Sequence, residues 1–299
     1  MTRTLVTGVN GFTGRYMAKR LSDAGHEVHG LAREAARVGQ DAIGVLHSGD
    51  LLDQDGISAL IAEVRPDYIV HLAGIAFVAH GDLGEMYRTN ILGTRALLEA
   101  SATASTPPRA VLVASSANVY GNASAGTLTE ATPIRPANDY AITKAAVENL
   151  AAIYASRLPV IVARPFNYTG VGQSDAFLIP KIVSYIKQKA PVIELGNLDV
   201  ARDFSDVRAV VDAYLRLIEA PEAVGGTFNV CSGEAASLRE VVALACRIAG
   251  HEIDVRVNPA FVRANEVKLL QGSRAALERV IGPLAMPPLE DTLRWMIES

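Results

Sequence analysis

A glycine-rich turn directly after the first strand-like run constrains the fold of this chain more than any other feature. The run Thr4–Thr7 leads into Gly8-Val9-Asn10-Gly11-Phe12-Thr13-Gly14, after which a helical pattern begins. Glycines at this spacing permit a tight turn, close approach of the backbone to a pyrophosphate, and close packing of helix on strand. The helix then offers N–H groups and the positive end of its dipole to phosphates. The expected cofactor contacts are Gly8, Asn10, Gly11, Phe12, Thr13 and Gly14.

Short apolar runs alternate with helix-length stretches through the first half of the chain. The runs are Thr4–Thr7, Glu27–Leu31, Ile43–Leu46, Tyr68–Leu72, Ala110–Ala114 and Val160–Ala163. The predicted helices are Phe12–Ala24, Gly56–Val64, Leu83–Ala104 and Asp139–Arg157. This alternation predicts an α/β fold in which helices cover both faces of a doubly wound parallel sheet.

The alternation of strands and helices becomes less regular from about Pro165, because prolines and the pair Gly225-Gly226 interrupt it. Helical patterns persist at Lys181–Lys189, Asp206–Ile218, Leu238–Ile248 and Leu289–Ile297. We expect a Rossmann-type NADP-binding domain over residues 1–164 and a smaller C-terminal substrate-binding domain mainly over residues 165–299. Part of residues 206–230 is expected to return to the first domain.

Composition removes several classes of partner. The net charge of −4 gives no basic face for nucleic acid or anionic lipid. Two cysteines cannot build a disulfide framework or a thiolate metal site, and no metal is expected. No apolar run approaches the ~20 residues of a membrane span. The first strand starts too close to Met1 for a signal peptide, so we expect a cytoplasmic protein.

The end of the second apolar run bears on the choice of cofactor. In NAD-binding units an acidic residue about 20 residues after the glycine turn holds the ribose hydroxyls. Here Ala32 and Arg33 stand instead, and the Arg33 guanidinium could clamp the 2′-phosphate of NADPH. A solvated surface arginine is the alternative, so NADPH is predicted with NADH possible. Asp50 and Leu51 are placed to meet the adenine, although Asp50 could equally cap a helix.

A tyrosine and a lysine four residues apart supply candidate acid–base chemistry. Tyr140 and Lys144 share one face of a predicted helix. A nearby ammonium stabilises a phenolate and lowers its pKa from about 10. Ser116 follows the run that ends at Ala114, and ligands bind at the carboxyl ends of parallel strands. Tyr185 and Lys189 have the same spacing but lie in a lysine-rich segment typical of a solvated face.

These motifs, in this order, resemble those of the extended short-chain dehydrogenase/reductase family, which includes nucleotide-sugar epimerases, dehydratases and reductases. The resemblance covers essentially the whole chain. His71-Leu72-Ala73-Gly74 is similar to the family's His-x-Ala-Ala segment, with Gly74 in place of an alanine. This resemblance implies that Leu72 and Ala73 lie beside the cofactor. Asn90 matches the family's structural asparagine. It also implies a homodimer formed through the helices Leu83–Ala104 and Asp139–Arg157, although their periodicity fits burial within one subunit equally well.

Later segments narrow the resemblance to GDP-mannose 4,6-dehydratases and GDP-4-keto-6-deoxy-mannose reductases. They are Arg164-Pro165-Phe166-Asn167 and Gly196-Asn197-Leu198-Asp199-Val200-Ala201-Arg202-Asp203-Phe204. The resemblance implies that a nucleotide diphosphate sugar is bound by Ser116, Asn118, Asn167, Lys181, Asn197, Arg202, Arg263 and Glu266. Structural ion pairs are the alternative for the two arginines.

The reaction follows from what this chain lacks. Resembling dehydratases carry a glutamate two positions after the catalytic hydroxyl, where this chain has Asn118. A 3,5-epimerase-reductase would need a Cys/His proton-transfer pair near the sugar, and Cys231 and Cys246 lie late in the chain, far from Ser116 in sequence. An NAD-retaining 4-epimerase usually has the acidic residue that Ala32 replaces. The leading hypothesis is NADPH-dependent reduction of the C4 ketone of a GDP-4-keto-6-deoxyhexose. Reductases or epimerases of UDP- or dTDP-sugars, and a non-catalytic NADP-binding sensor, stay open.

Overall fold

A seven-stranded parallel sheet forms the centre of the protein. The structure is a computed structural model and describes residues 1–33, 44–76, 82–123, 126–261 and 268–299. The strands of this sheet, numbered in chain order with all others, are β1 (Arg3–Thr7), β2 (Glu27–Ala32), β3 (Val45–Ser48), β4 (Tyr68–His71), β5 (Ala110–Ala114), β7 (Val160–Pro165) and β11 (Thr227–Val230). Their order is β11-β7-β5-β4-β1-β2-β3, so the winding direction reverses between β1 and β4. In such sheets ligands bind in the crevice outside the carboxyl ends at this reversal.

Helices cover both faces of the sheet because successive strand residues point to opposite sides. The helices are α1 (Phe12–Asp23), α2 (Gln54–Val64), α3 (Leu83–Tyr87), α4 (Thr94–Ala102), α5 (Asp139–Tyr154), α6 (Leu178–Lys187), α7 (Val207–Glu219), α8 (Leu238–Ala249), α9 (Ala275–Ile281) and α10 (Leu289–Glu298). Val6 and Val70 pack in one core with side chains of α1 and α7. Leu5 and Ile69 pack in a second core with side chains of α2, α4 and α5. The predicted doubly wound α/β fold is confirmed.

A smaller set of strands lies beyond the parallel sheet. These strands are β6 (Thr127–Leu128), β8 (Asn167–Thr169), β9 (Val192–Leu195), β10 (Ala201–Asp206), β12 (Ala235–Ser237), β13 (Asp254–Val257) and β14 (Leu269–Gly272). β10 pairs with β8, β12 and β14, and β9 pairs with β13. The buried Asp203 carboxylate accepts hydrogen bonds from the backbone N–H groups of Ser232, Gly233 and Gly272, which ties β10 to both flanking segments. Side chains of α6, α8 and α10 pack in one core with buried residues of β9 and β10.

Segments of the second half also build the large sheet. β11 pairs with β7, and α7 packs against α1. The division into an NADP-binding and a substrate-binding domain stays a prediction. Within the described ranges, no helix is both long and apolar enough to cross a membrane, and the cytoplasmic location stays a prediction as well.

Several boundaries differ from the sequence prediction. The helix expected over Leu83–Ala104 contains a π-helical turn, Arg88–Gly93, between α3 and α4. Hydrophobic periodicity does not reveal such a turn, because a π-helical turn has only one residue more per hydrogen-bonded turn than an α-helix. β3 covers Val45–Ser48, later than predicted, and Ile43 lies outside the described residues. The helix predicted over Lys181–Lys189 is α6, which begins and ends earlier, and Lys189 has φ of +52°.

Candidate active site

The glycine turn places a helix N-terminus at the carboxyl edge of the sheet. Gly8 has φ of +70°, and a Cβ there would lie 2.8 Å from backbone atoms of Ala73, so only glycine allows β1 and β4 to end this close together. The Gly11 N–H donates to the Gly8 carbonyl at 2.9 Å. Gly11 is also the N-cap residue of α1, and glycine has no side chain that could cap the first N–H groups. These groups suit the phosphates of a dinucleotide.

The glycine turn is joined to the segment that carries Asn167. The Thr13 and Tyr168 hydroxyls lie 2.8 Å apart, and the Phe12 ring stacks on the Tyr168 ring with centroids 6.2 Å apart. The Tyr16 hydroxyl donates to the Val171 carbonyl at 2.8 Å. Two predicted cofactor residues, Phe12 and Thr13, thus contact Tyr168. Sequence reasoning did not select Tyr168, although it adjoins Asn167.

Arg33 lies directly after β2, and its side chain is largely exposed. Its Nη1 lies 2.8 Å from Glu85 Oε1 on α3. This ion pair puts a carboxylate beside the guanidinium that is expected to hold a 2′-phosphate. Asp50 accepts a hydrogen bond from the Leu52 N–H, while Asp53 caps α2. Leu51 is buried, and its side chain packs against Gly93.

A buried chain of hydrogen bonds stabilises the ends of β1 and β4. The Thr94 hydroxyl donates to the Asn90 carbonyl at 2.6 Å, so it accepts from His71 Nε2 at 2.8 Å. Nδ1 of His71 then accepts from the Thr7 hydroxyl at 2.7 Å. Burial, assisted by the Lys144 charge, lowers the pKa of His71 to about 3. The imidazole is therefore neutral, and it orients the strand ends that precede Gly8 and Leu72.

Asn90 fastens the π-helical turn to the loop after β4 and to α5. Its Oδ1 accepts from the Ile75 N–H at 2.7 Å, and its Nδ2 donates to the Ile75 carbonyl at 3.2 Å. The same Nδ2 donates to the Thr143 hydroxyl at 3.0 Å. Thr143 stands directly before Lys144, so Asn90 links the loop containing Ala73 to the helix that carries Tyr140.

Ser116, Tyr140 and Lys144 meet at the carboxyl end of β5. Ser116 caps a 3₁₀ turn, Ala117–Tyr120, and its hydroxyl accepts a hydrogen bond from the Asn118 N–H at 3.2 Å. Lys144 Nζ donates to the Ala114 carbonyl at 2.8 Å and lies 5.8 Å from the centroid of the Tyr140 ring. All three residues are buried. The structure thus brings together the three side chains that the sequence proposes for catalysis.

Burial acts on both titratable groups of this trio. It raises the pKa of Tyr140 far above its usual range, and the Ser116 hydroxyl opposes this. It lowers the pKa of Lys144 to about 8, against the nearby Glu148 carboxylate, which favours the charged form. Tyr140 therefore keeps its proton at neutral pH, while Lys144 remains mostly charged below pH 8.

An ion pair behind the trio was not found by sequence reasoning. Glu148 Oε2 lies 2.7 Å from Arg164 Nη2, and Oε1 lies 2.9 Å from Nε, so the pair is bidentate. Both side chains are buried. Arg164 Nη1 also donates to the Tyr120 hydroxyl at 2.9 Å, and the Ser115 hydroxyl donates to Glu148. Glu148 follows Lys144 by one helical turn, but nothing in that spacing identifies its partner on β7.

The residues predicted to bind substrate lie on the smaller sheet and nearby loops. Asn167 Nδ2 donates to the Asp203 carbonyl at 3.3 Å. Lys181 Nζ donates to the Glu194 carbonyl at 2.9 Å and lies 4.7 Å from the centroid of the Phe261 ring.

The other predicted substrate residues have contacts of their own. Asn197 Oδ1 accepts from the Asp199 N–H at 3.0 Å, and Arg202 Nη1 donates to the Ala201 carbonyl at 2.9 Å. Asn118 donates to Ser116 Oγ. Arg263 and Glu266 lie outside the described residues. The binding roles of these residues remain predictions.

Known proteins with this fold carry related activities. A GDP-6-deoxy-D-mannose reductase of Pseudomonas aeruginosa is 36% identical over 99% of this chain and 96% of its own length. A GDP-6-deoxy-D-talose 4-dehydrogenase of Aggregatibacter actinomycetemcomitans is 32% identical over 94% of this chain and 91% of its own.

Two solved structures align along the whole chain. A candidate epimerase from Burkholderia cenocepacia is 53% identical, with a TM-score of 0.94 over 99% of this chain and 97% of its own. The structure of RMD from Pseudomonas aeruginosa complexed with NADPH is 33% identical, with a TM-score of 0.87 over 100% of this chain and 98% of its own.

The family model described as the NAD dependent epimerase/dehydratase family matches residues 4–231. This range contains the glycine turn, the buried His71 chain and the trio on β5 and α5. The chain therefore belongs to the NAD-dependent epimerase/dehydratase family, the extended short-chain dehydrogenases/reductases, and is an NAD(P)-dependent oxidoreductase acting on nucleotide sugars.

Proposed function

We propose that this protein reduces the C4 ketone of a GDP-4-keto-6-deoxyhexose with NADPH. The observation that carries the proposal is the buried trio Ser116, Tyr140 and Lys144, held at the strand edge beside the glycine turn. A sensor that only binds the dinucleotide would not require an acid–base pair of this kind. The relatives with 36% and 32% identity are both named for GDP-6-deoxy sugars, which supports a GDP-linked substrate.

Tyr140 and Lys144 have distinct tasks in this reaction. NADPH, when bound, supplies hydride to C4 of the sugar. Tyr140 gives its proton to the ketone oxygen as negative charge develops there. Lys144, while protonated, makes that transfer easier because its charge stabilises the phenolate that remains. The buried surroundings exclude water and strengthen these electrostatic interactions.

The glycine turn and its neighbours fit the proposed cofactor. The uncapped first N–H groups of α1 suit the pyrophosphate, and Arg33 suits a 2′-phosphate. Leu51, Leu72 and Ala73 adjoin the same edge of the sheet. A structure with NADPH bound in a relative of 33% identity supports this preference.

Reduction is favoured over the other reactions of the family by Asn118. Removing water across C5–C6 requires an extra acid–base group, and an amide does not exchange a proton at neutral pH. Asn118 stands two residues after the Ser116 hydroxyl and is hydrogen-bonded to it. The configuration produced at C4 is a finer matter, because 6-deoxymannose and 6-deoxytalose are C4 epimers. We propose the 6-deoxymannose product, on the higher identity and wider coverage of the corresponding relative.

Tyr140→Phe tests the proton donor. We expect turnover to fall by about 10²- to 10⁴-fold, the usual contribution of a positioned general acid. NADPH binding should persist, since the ring remains in place. NADPH oxidation would be followed with GDP-, UDP- and dTDP-4-keto-6-deoxy sugars, with the product configuration read by NMR.

Tyr185→Phe is the matched control, because Tyr185 heads the other tyrosine–lysine pair, and it should keep normal turnover. Near-normal turnover of Tyr140→Phe would contradict the mechanism. Absence of oxidation of every sugar by the native protein would favour the sensor, and tightly bound NAD in the purified protein would favour a 4-epimerase.

The pKa of Lys144 predicts how the rate of reduction depends on pH. Its pKa of about 8 lies below the ordinary lysine value, so its charge is present below pH 8 and is lost above it. Loss of that charge leaves Tyr140 a weaker acid, and kcat/KM should fall by about tenfold per pH unit above pH 8. Lys144→Arg keeps a charge at every accessible pH and should remove this decline. A native profile that stays flat to pH 10 would refute the assignment.

The guanidinium of Arg33 predicts a preference for NADPH over NADH. Hydrogen bonds to charged groups contribute about 1.5–3 kcal/mol, so Arg33→Ala should raise the KM for NADPH by about 10- to 100-fold. The KM for NADH should hardly change. Glu85→Gln removes the carboxylate that competes with the 2′-phosphate, and should lower the KM for NADPH. Steady-state kinetics with both cofactors would measure this, and equal losses with NADPH and NADH would argue against a phosphate clamp.

We propose that two copies pair through α4 and α5, as the family resemblance implies. Ile142 and Ile153 lie on α5 and Leu92 lies on the π-helical turn before α4, and all three are exposed. Sedimentation equilibrium should give twice the chain mass, and Ile142→Glu combined with Ile153→Glu should give a monomer. Val257→Glu, at an exposed apolar residue on β13, is the control. A native monomer at micromolar concentration would exclude the pairing.

A further inference from the structure

A pair of hydroxyls joins the start of α1 to strand β8. Thr13 Oγ1 and Tyr168 Oη lie 2.8 Å apart, and the Phe12 ring stacks on the Tyr168 ring with an angle of 14° between the two planes. Phe12 and Thr13 are the first two residues of α1, and Tyr168 is the central residue of β8. Tyr168 therefore contacts the helix end whose N–H groups suit the phosphates of a dinucleotide.

Other contacts keep the loop after β8 against the same helix. The Tyr16 hydroxyl, one turn further along α1, donates to the Val171 carbonyl at 2.8 Å. Gln173 closes the loop on itself, because its Nε2 donates to the Tyr168 carbonyl and its Oε1 accepts from the Thr169 hydroxyl. These contacts do not involve the Tyr168 hydroxyl, so the bond between Tyr168 and Thr13 can be removed without separating the loop from α1.

On its other side, β8 pairs with β10, and this pair carries two residues that are predicted to bind the sugar nucleotide. Asn167 directly precedes Tyr168 and lies opposite Phe204 on β10. Its Nδ2 donates to the Asp203 carbonyl at 3.3 Å, and Arg202 is the next residue back along the same strand. Tyr168 thus stands between a predicted cofactor residue on α1 and a predicted substrate residue that adjoins it on β8.

We propose that Tyr168 is a positioning residue that couples the binding of the two ligands. The N-cap residue Gly11 has no side chain to satisfy the first N–H groups of α1, so a bound pyrophosphate orders this turn. The bond between Thr13 and Tyr168 extends that order to β8, and a sugar nucleotide that contacts Asn167 then has less of the strand to order. A first ligand that reduces the ordering cost for a second one gives positive cooperativity.

The inference rests on the proposed function for the identity of the two ligands, NADPH and a GDP-linked sugar. By thermodynamic linkage each ligand raises the affinity for the other by the same factor. GDP is a suitable probe of the second site, because it carries the diphosphate and binding can be measured without turnover. The quantity to be measured is the ratio of the Kd of GDP without NADPH to its Kd with saturating NADPH, called the coupling factor below.

Tyr168→Phe tests the inference, because it removes only the hydroxyl and keeps the ring stacked on Phe12. By isothermal titration calorimetry we expect a coupling factor of about 3 to 10 in the native protein, the value of one ordinary hydrogen bond. Tyr168→Phe should lower this factor to about one. Tyr185→Phe, which removes a tyrosine hydroxyl on α6, is the matched control and should keep the native factor. A merely structural role of Tyr168 would change the melting temperature but leave the coupling factor as it is.

Thr13→Val removes the same bond from its other end and keeps the backbone N–H of Thr13. It should lower the coupling factor as much as Tyr168→Phe does, and the double variant should lower it no further, because the two hydroxyls act as one pair. NADPH should also slow amide hydrogen exchange of residues 167–173 in the native protein but not in Tyr168→Phe. A native coupling factor of one with GDP, UDP and dTDP would overturn the inference, and so would a native factor that persists in Tyr168→Phe.

The outcomes separate this inference from the proposed function. If the coupling responds as expected but no keto sugar is reduced, the proposed function fails and the inference holds. If a keto sugar is reduced and the coupling factor is the same in the native protein and in Tyr168→Phe, the reverse is true. During turnover at saturating NADPH, Tyr168→Phe should raise the KM for the keto sugar by about 3- to 10-fold and hardly change kcat, because the proton donor is untouched.

Discussion

The buried ion pair between Glu148 and Arg164 is the interaction on which the geometry of this site depends. It fastens α5 to β7, and through Ser115 it also contacts the end of β5. The distances among Ser116, Tyr140 and Lys144 depend on how α5 sits against β5. Breaking a buried ion pair by removing one partner costs about 3–5 kcal/mol, whereas a well-packed apolar replacement of both is often neutral. We therefore interpret the pair as the interaction that defines the position of α5, the helix that carries Tyr140 and Lys144.

Local charge matters more here than net charge. The chain carries −4 overall, yet its proposed ligands are polyanions. Lys144 is buried and has a pKa of about 8. His71, nearby, is kept neutral by the same low-dielectric surroundings and acts only through its hydrogen bonds. Burial thus lowers the pKa of both groups, and that burial is produced by the whole folded chain.

Much of the fold and part of the site could be predicted from the sequence because their signals are local. A glycine turn between a strand and a helix has steric requirements that a few consecutive residues meet. Tyr140 and Lys144 share a helix face because of their spacing alone. Alternating apolar runs and helical patterns indicate a parallel sheet before any contact is known. The confirmed α/β fold follows from these short-range regularities.

Other features depend on residues that meet only across the folded chain. Arg164 reaches Glu148 from a different element, Tyr168 meets Thr13 over 155 positions, and Glu85 reaches Arg33 over 52. Side chains of these types lie on many protein surfaces, so nothing local identifies such partners. The π-helical turn at Asn90 also escapes periodicity, since its cause is the set of hydrogen bonds to Ile75 and Thr143.

The sequence by itself determined the glycine turn, the order of strands and helices, and the residue types available for acid–base chemistry. Only the tertiary structure decided the lowered pKa of Lys144, the neutrality of His71 and the pairing of Glu148 with Arg164. The physical reason is that chain geometry is local, whereas desolvation and hydrogen-bond pairing depend on every group that surrounds an atom in space.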